Sequence, residues 1–331
     1  DKKGSGSGLP ARMRRVKEVR ALSVGEIQEL GKAFVRASLI AKSAGFDAIE
    51  LHGAHGYLLA AFLSPFSNRR DDAYGGGFEG RFRFVQEVYE GVRNAVGAAY
   101  PILFRLSGRE YLEGGREMEE TRRIVKRLEE IGVDAIDVSA GITMDAEAFT
   151  WLAPPASFPQ GAFLRDAAEI KREVRIPVIG VGKIRDPWFA EKALAEGQVD
   201  FVALGRTLIA DPAWPNKAFA GTTREIRRCI SCNRCWSILH RHPIRFAINA
   251  RAGRERAFPM APVIHRRRVA VVGGGPAGME AARVAAERGH AVTLFEKERH
   301  LGGQLRLAVV PPFKRDLAGL LGYLITQVQK K

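Results

Sequence analysis

His52, His55 and Tyr57 stand together in the run ELHGAHGY. Gly53 and Gly56 free the backbone there to turn, so that both imidazoles can face one point. Two ring N–H groups can hold a carbonyl oxygen and stabilise negative charge growing on it. A phenol beside them can supply a proton. A lone histidine on a strand is more often structural, but a pair at the carboxyl end of a strand argues for chemistry. A second set is Cys229, Cys232 and Cys235, separated by two-residue gaps. That spacing opens an iron–sulfur ligand run, and zinc would likewise want four ligands. The third set is Gly273-Gly274-Gly275-Pro276-Ala277-Gly278, with Glu296 about 20 residues further on. Gly273 makes a turn, Gly275 admits a pyrophosphate, Gly278 lets helix and strand pack closely, and the acid takes a ribose hydroxyl.

These residues need elements to hold them. Ser23 followed by Glu26 is a capping box, and the helix it starts presents Ile27, Leu30, Phe34 and Ile40 before Gly45 ends it. Short apolar runs at 48–51, 102–106, 135–138, 177–181 and 201–204 read as buried strands. Helical stretches at 79–96 and 118–131 separate them. Strands alternating with helices predict right-handed crossovers and a parallel sheet. A second strand–helix–strand unit begins near Arg268, with strands at 269–272 and 291–295. Between the two, residues 222–265 have weak periodicity and hold every cysteine.

The run HGAHGYLLAAFLSPFSNRRDDAYGGGFEGRFRF closely resembles the signature of the Old Yellow Enzyme family of FMN-dependent NADH:flavin oxidoreductases. PILFRLSGREYLEGG and IPVIGVGKIRDPWFAEKALAEGQVDFVALGR continue the resemblance in order. It implies a (β/α)8 TIM barrel with FMN at its mouth, of which this chain holds about strands 4–8. Arg105 then matches the arginine beside the flavin pyrimidine edge, where a cation favours the anionic reduced ring. Gly182 and Lys183 match the loop after the seventh strand, and Gly205 and Arg206 that after the eighth; together these form the phosphate site. Cys229, Cys232 and Cys235 resemble the [4Fe–4S] segment of a multidomain branch that includes 2,4-dienoyl-CoA reductase and trimethylamine dehydrogenase. Phe246 stands where that branch has its fourth cysteine. Three outcomes are open: His240, His242 or Asn249 substitutes, the centre is three-iron or labile, or the cluster is lost. The glycine fingerprint, with LGGQL and its Gln304, resembles the start of the branch's FAD domain, so the resemblance favours FAD over NAD there.

The resemblance implies three parts: residues 1–222 from the FMN barrel, 223–264 as a cysteine-bearing connector, and 265–331 from the start of an FAD/NAD(P)-binding Rossmann-type domain. Three strand–helix units are expected to be missing before residue 23, which points to an internal piece of a longer protein. The implied reaction passes electrons from NAD(P)H through FAD and the cluster to FMN, which reduces an enone or enoyl substrate held by His52 and His55 and protonated by Tyr57. The spacing of Cys232 and Cys235 looks more like the amine dehydrogenase side of the branch. Composition agrees with a globular chain: 46% hydrophobic and 27% charged residues. Nothing approaches a membrane span, and so few cysteines exclude a disulfide framework and suggest a reducing, cytoplasmic setting. Twelve arginines and two glutamates between Arg224 and Arg268 carry much of the net charge of +15. That stretch suits phosphate-bearing cofactors or acidic carriers better than nucleic acid; a homo-oligomer remains open.

Overall fold

The computed structural model describes residues 20–238 and 243–330. Ser23 caps α1 (Val24–Ser43) with the reciprocal Glu26 bonds of a capping box, and Gly45 leaves it at φ +86°. There follow β1 (Ile49–Gly53), α2 (Leu58–Leu63), α3 (Phe78–Val96), β2 (Ile102–Ser107), α4 (Met118–Glu130) and β3 (Ala135–Ser139). Next come α5 (Ala146–Leu152), α6 (Leu164–Lys171), β4 (Val178–Gly180), α7 (Pro187–Ala195), β5 (Phe201–Val202), α8 (Arg206–Ala210) and α9 (Trp214–Phe219). The rest is α10 (Arg234–Ser237), β6 (Arg268–Val272), α11 (Pro276–Glu287), β7 (Ala291–Phe295), α12 (Leu305–Ala308) and α13 (Asp316–Lys330). Strand ends shift by a few residues from the sequence reading; β1 runs on to Gly53, so His52 lies inside the strand.

The first compact unit runs through Ala153 and takes in Gly161–Gly182 and Ala193–Ala203. Its five strands form one parallel sheet in the order β1-β2-β3-β4-β5, the strand–helix order of a partial (β/α)8 barrel. Register makes its two faces chemically different. Leu51, Phe104, Ile136 and Val178 are register neighbours, and all four are buried; each such side chain contributes about 1.5–3 kcal/mol. One residue along, a row of His52, Arg105, Asp137, Ile179 and Phe201 crosses all five strands on the opposite face. Phe201 is 58% exposed at the end of that row. α3 lays a stripe of Phe82, Val85, Tyr89, Val92 and Val96 into the core. In α1 only Ile27 and Ser38 are fully buried, and Ile40, expected on the apolar face, is 70% exposed. At about 100° per residue Ser38 returns to the azimuth of Ile27 and Ile40 turns away from it.

The second unit holds Pro154–Gln160, Lys183–Lys192 and the chain from Leu204 onward. β6 and β7 form a parallel pair, with α11 as the crossover between them, which is the opening of a Rossmann-type domain. Met279, Leu305, Tyr323 and Leu324 form one core. A separate cluster of Ala210, Cys229, Cys235, Phe246 and Ala252 lies under the cysteine segment.

Candidate active site and nucleotide turn

In the first unit the sheet and the loop after β1 bring His52, His55 and Tyr57 together. The His52 ring centroid is 5.1 Å from that of His55 and 5.4 Å from that of Tyr57. His55 is held at φ +65°, a left-handed conformation that costs a non-glycine residue free energy and occurs where function demands it. Its backbone N–H donates to Ser107 Oγ at 3.0 Å, and its carbonyl accepts from Thr143 N–H at 3.0 Å. The Ser107 hydroxyl in turn donates to Gly141 O at 3.0 Å. Gly56 follows at φ +77°, where a Cβ would come within 2.5 Å of Ile142 Cγ1. The backbone around the imidazole pair is thus fixed by its neighbours. Tyr57 stands at the rim, 49% exposed.

Electrostatics keep both rings neutral. Burial pushes the His55 imidazole down to about 3, helped by Arg105 and then by His52. Burial and then Arg105 also lower His52. A neutral imidazole keeps one N–H donor and one bare acceptor nitrogen. Among the described residues, His55 Nε2 is buried with no hydrogen-bond partner, and so is Arg105 Nε. Buried polar groups are normally paired, so two orphaned nitrogens around one sheet end mark a place where an external group fits.

Arg105 ion-pairs with Asp137 at 3.2 Å, the carboxylate side chain only 4% exposed. Sequence reasoning passed over Asp137 and Glu50. The signal was there: each is an acid inside an otherwise apolar strand run.

The other expected residues divide by unit. Gly182 lies in the first unit at φ +119°, its carbonyl accepting from Ala162 N–H at 3.1 Å. Lys183, in the second, has its ammonium on Ala156 O at 2.8 Å, on Phe158 O and on Asp316 at 3.0 Å. Arg206 donates to Pro154 O at 2.9 Å and to Asn233 Oδ1. Both cations are engaged with protein groups here, where a phosphate had been expected to take them. Gly205 precedes Arg206 in open space.

The glycine fingerprint folds as its spacing predicts. Gly273 turns at φ +102°. A Cβ on Gly278 would overlap Gly273 O, so only glycine lets α11 start this close to β6. A Cβ on Gly275 would meet nothing, which leaves room for a pyrophosphate at the amino end of a 12-residue helix. Ala277 lies in its first turn. Gly302 N–H donates to Gly274 O at 2.8 Å, bringing LGGQL, with Gln304, against the turn. Glu296 accepts from Gly274 N–H at 2.6 Å and from Glu298 N–H at 2.9 Å. It therefore braces the turn.

The cysteine segment does not assemble a ligand set. Cys229 and Cys235 are buried and Cys232 is exposed. Among the described residues no three His, Cys, Asp or Glu side chains are grouped to hold a metal ion. Phe246, at the expected fourth position, packs with Cys229 and Cys235 in an apolar cluster. Burial raises both of those thiols, against the thiolate a cluster needs. Asn249 spends its amide on Ile209 O at 2.8 Å. His240 and His242 lie outside the described residues.

Comparison with known proteins decides the family. Residues 3–225 match the model of the NADH:flavin oxidoreductase / NADH oxidase family. The chain belongs to this family. Residues 268–329 match an FAD-dependent oxidoreductase model, the pairing of the multidomain Old Yellow Enzyme-like branch. The chain is 50% identical over 317 residues to an NADH oxidase of Thermoanaerobacter brockii, covering 94% of this chain and 48% of that one. It superposes with a TM-score of 0.90 and 34% identity on 2-naphthoyl-CoA reductase in complex with 2-naphthoyl-CoA, covering 94% of this chain and 47% of the other. Histamine dehydrogenase from Rhizobium sp. 4-9 gives 0.86 and 33%, over 95% and 46%. The chain thus spans about half the length of the relatives it matches. Among the described residues, no helix is long and apolar enough to cross a membrane.

Proposed function

We propose that the chain is the flavin-binding part of an NAD(P)H-dependent oxidoreductase that reduces the C=C bond of α,β-unsaturated carbonyl compounds. The observation that carries this reading is the trio His52, His55 and Tyr57 beside Arg105, with His55 Nε2 buried and unpartnered. FMN fits the polar sheet face next to Arg105, whose orphaned Nε and positive charge suit the electron-rich pyrimidine edge. FAD fits the turn at Gly273, Gly275 and Gly278. In this proposal residues 1–222 belong to the FMN barrel, 223–264 to the connector and 265–331 to the FAD domain. Gly182, Lys183, Gly205 and Arg206 are assigned to the FMN phosphate by family resemblance, and Lys183 would share its ammonium with Asp316.

Flavin held beside Arg105 would be the source of the hydride that the substrate β-carbon accepts. The residues of the chain do the remainder. His52 and His55, each a neutral N–H donor, hold the carbonyl oxygen and stabilise the charge that grows on it. The Tyr57 hydroxyl delivers the proton to the α-carbon. Arg105 keeps that end of the site positive. The three thiols do not fit an iron–sulfur cluster in their present packing, so no electron-transfer step is assigned to one.

The name of 2-naphthoyl-CoA reductase supports an acyl-CoA-type unsaturated substrate; that of histamine dehydrogenase supports a second reading as an amine dehydrogenase, here of methylated amines with electrons passing outward to a carrier protein. Anaerobic stopped-flow on the complete protein separates them. Enone-dependent flavin reoxidation after NAD(P)H reduction supports the first, and turnover of amines with an artificial acceptor selects the second. A colourless preparation would remove both and leave a degenerate, non-catalytic member.

A further inference from the structure

Asp137 raises a problem that its ion pair does not solve. One carboxylate oxygen meets Arg105 at 3.2 Å. The other, Oδ1, is buried with no hydrogen-bond donor among the described residues. A buried anionic oxygen left bare costs about 1–3 kcal/mol or more. The group that interacts with the Asp137 side chain is a second carboxyl, Glu50, two residues before His52 on β1 and on the same sheet face. Two ionised carboxylates in contact repel and offer each other no donor. One proton between them removes both difficulties.

The geometry points to Glu50 as a positioning residue that holds a proton, donates it in a hydrogen bond to Asp137 Oδ1, and so leaves Arg105 facing a single negative charge. Among the described residues the charged group that acts on this pair is Arg105 from β2, and the same guanidinium acts on His52 and His55. No second cation among the described residues joins it, so a second carboxylate charge would be uncompensated. Glu50 is itself exposed at one edge, which gives the proton a route to solvent. Partial burial of the carboxyl, then Asp137, pushes Glu50 up to about 7, and burial raises Asp137 as well. Losing the proton turns a neutral Arg105–carboxylate pair into a net negative group beneath the imidazoles. The positive charge offered at the sheet face then falls as the pH passes through neutrality.

Only the flavin consequence rests on the function proposed above. The proton is tested first, without flavin, by infrared spectroscopy of the full chain carrying carbon-13 in its glutamate carboxyls. A protonated-acid band present at neutral pH, lost on raising the pH and absent in Glu50→Gln, is expected. In Asp137→Asn the loss of the band should shift to lower pH, because the Asp137 charge is gone and Arg105 then favours an ionised Glu50, while burial still holds it above an exposed carboxyl. The unsubstituted protein decides the matter even if a variant fails to fold: no protonated glutamate at neutral pH overturns the inference. In FMN-loaded complete protein, the midpoint potential should change slope near neutral pH, and Glu50→Gln should remove that break. A titrating Glu50 with an unbroken potential would overturn the link to Arg105 and leave flavin binding untouched. Failure to bind FMN would overturn the function and leave the proton result standing.

Discussion

At the residue scale, neutral histidines and a rim phenol make different demands and are tested separately. Tyr57→Phe should slow enone reduction by roughly 10²-fold or more while leaving flavin reduction by NAD(P)H intact; equal rates of enone-driven reoxidation would remove Tyr57 as the proton source. His55 has a signature in stability. Its folded imidazole is depressed to about 3, whereas an unfolded one titrates near 6.5. Between those values the unfolded chain binds the extra proton, so stability is fully present above about 6.5 and drains away as the pH falls. Urea midpoints should therefore drop on acidification, and His55→Gln should flatten that limb. An identical pH profile in the variant would show that His55 is not the buried neutral group. Both histidines and the tyrosine were legible in the sequence because their spacing is local. Asp137 and Glu50 showed only as acids inside apolar runs; their pairing was not legible, because it is a contact across three strands.

At the element scale, close approach is what glycine provides. Gly278 sits where any Cβ would overlap the Gly273 carbonyl. A backbone oxygen cannot rotate away, so Gly278→Ala should destabilise the β6–α11 turn by about 1–3 kcal/mol and weaken FAD retention. Thermal unfolding with and without added FAD checks this; a melt equal to that of the parent chain would mean that the helix can slide back at no cost. The element boundaries themselves were largely readable, since period and caps are sequence properties. α1 shows the limit. Its capping box is legible in the sequence, yet Ile40 is apolar and still faces solvent, because helical phase carries it away from Ile27. β1 shows another: strand pairing with β2 carries the ladder through His52 to Gly53, and pairing is not written in one strand alone.

At the scale of the whole molecule, the two-flavin reading and the cysteine segment meet in a single preparation. The complete protein should release FMN and FAD on denaturation and carry substoichiometric iron. Phe246→Cys should raise iron and acid-labile sulfide, since it puts a fourth thiol into the cluster that holds Cys229 and Cys235. Full iron loading of the unsubstituted protein would show that three thiols, or a ligand such as His240 or His242, suffice. The arginine-rich stretch from Arg224 to Arg268 fits this picture in part: Arg228 pairs with Asp186 and Arg227 lies over the Tyr323 ring, so some of its charge is structural.

From the order of its residues alone, this chain already declared its family, its alternation of strands and helices, its glycine turn and the imidazole pair, because each of these is a short-range pattern of type and spacing. Folding settled what depends on neighbours distant in the chain. It aligned His52, Arg105 and Asp137 in one row across the sheet, left Asp137 Oδ1 waiting for a proton, tied Lys183 to Asp316, and buried two of three thiols around a phenylalanine. Charge and solvation act through space, and only packing sets those distances.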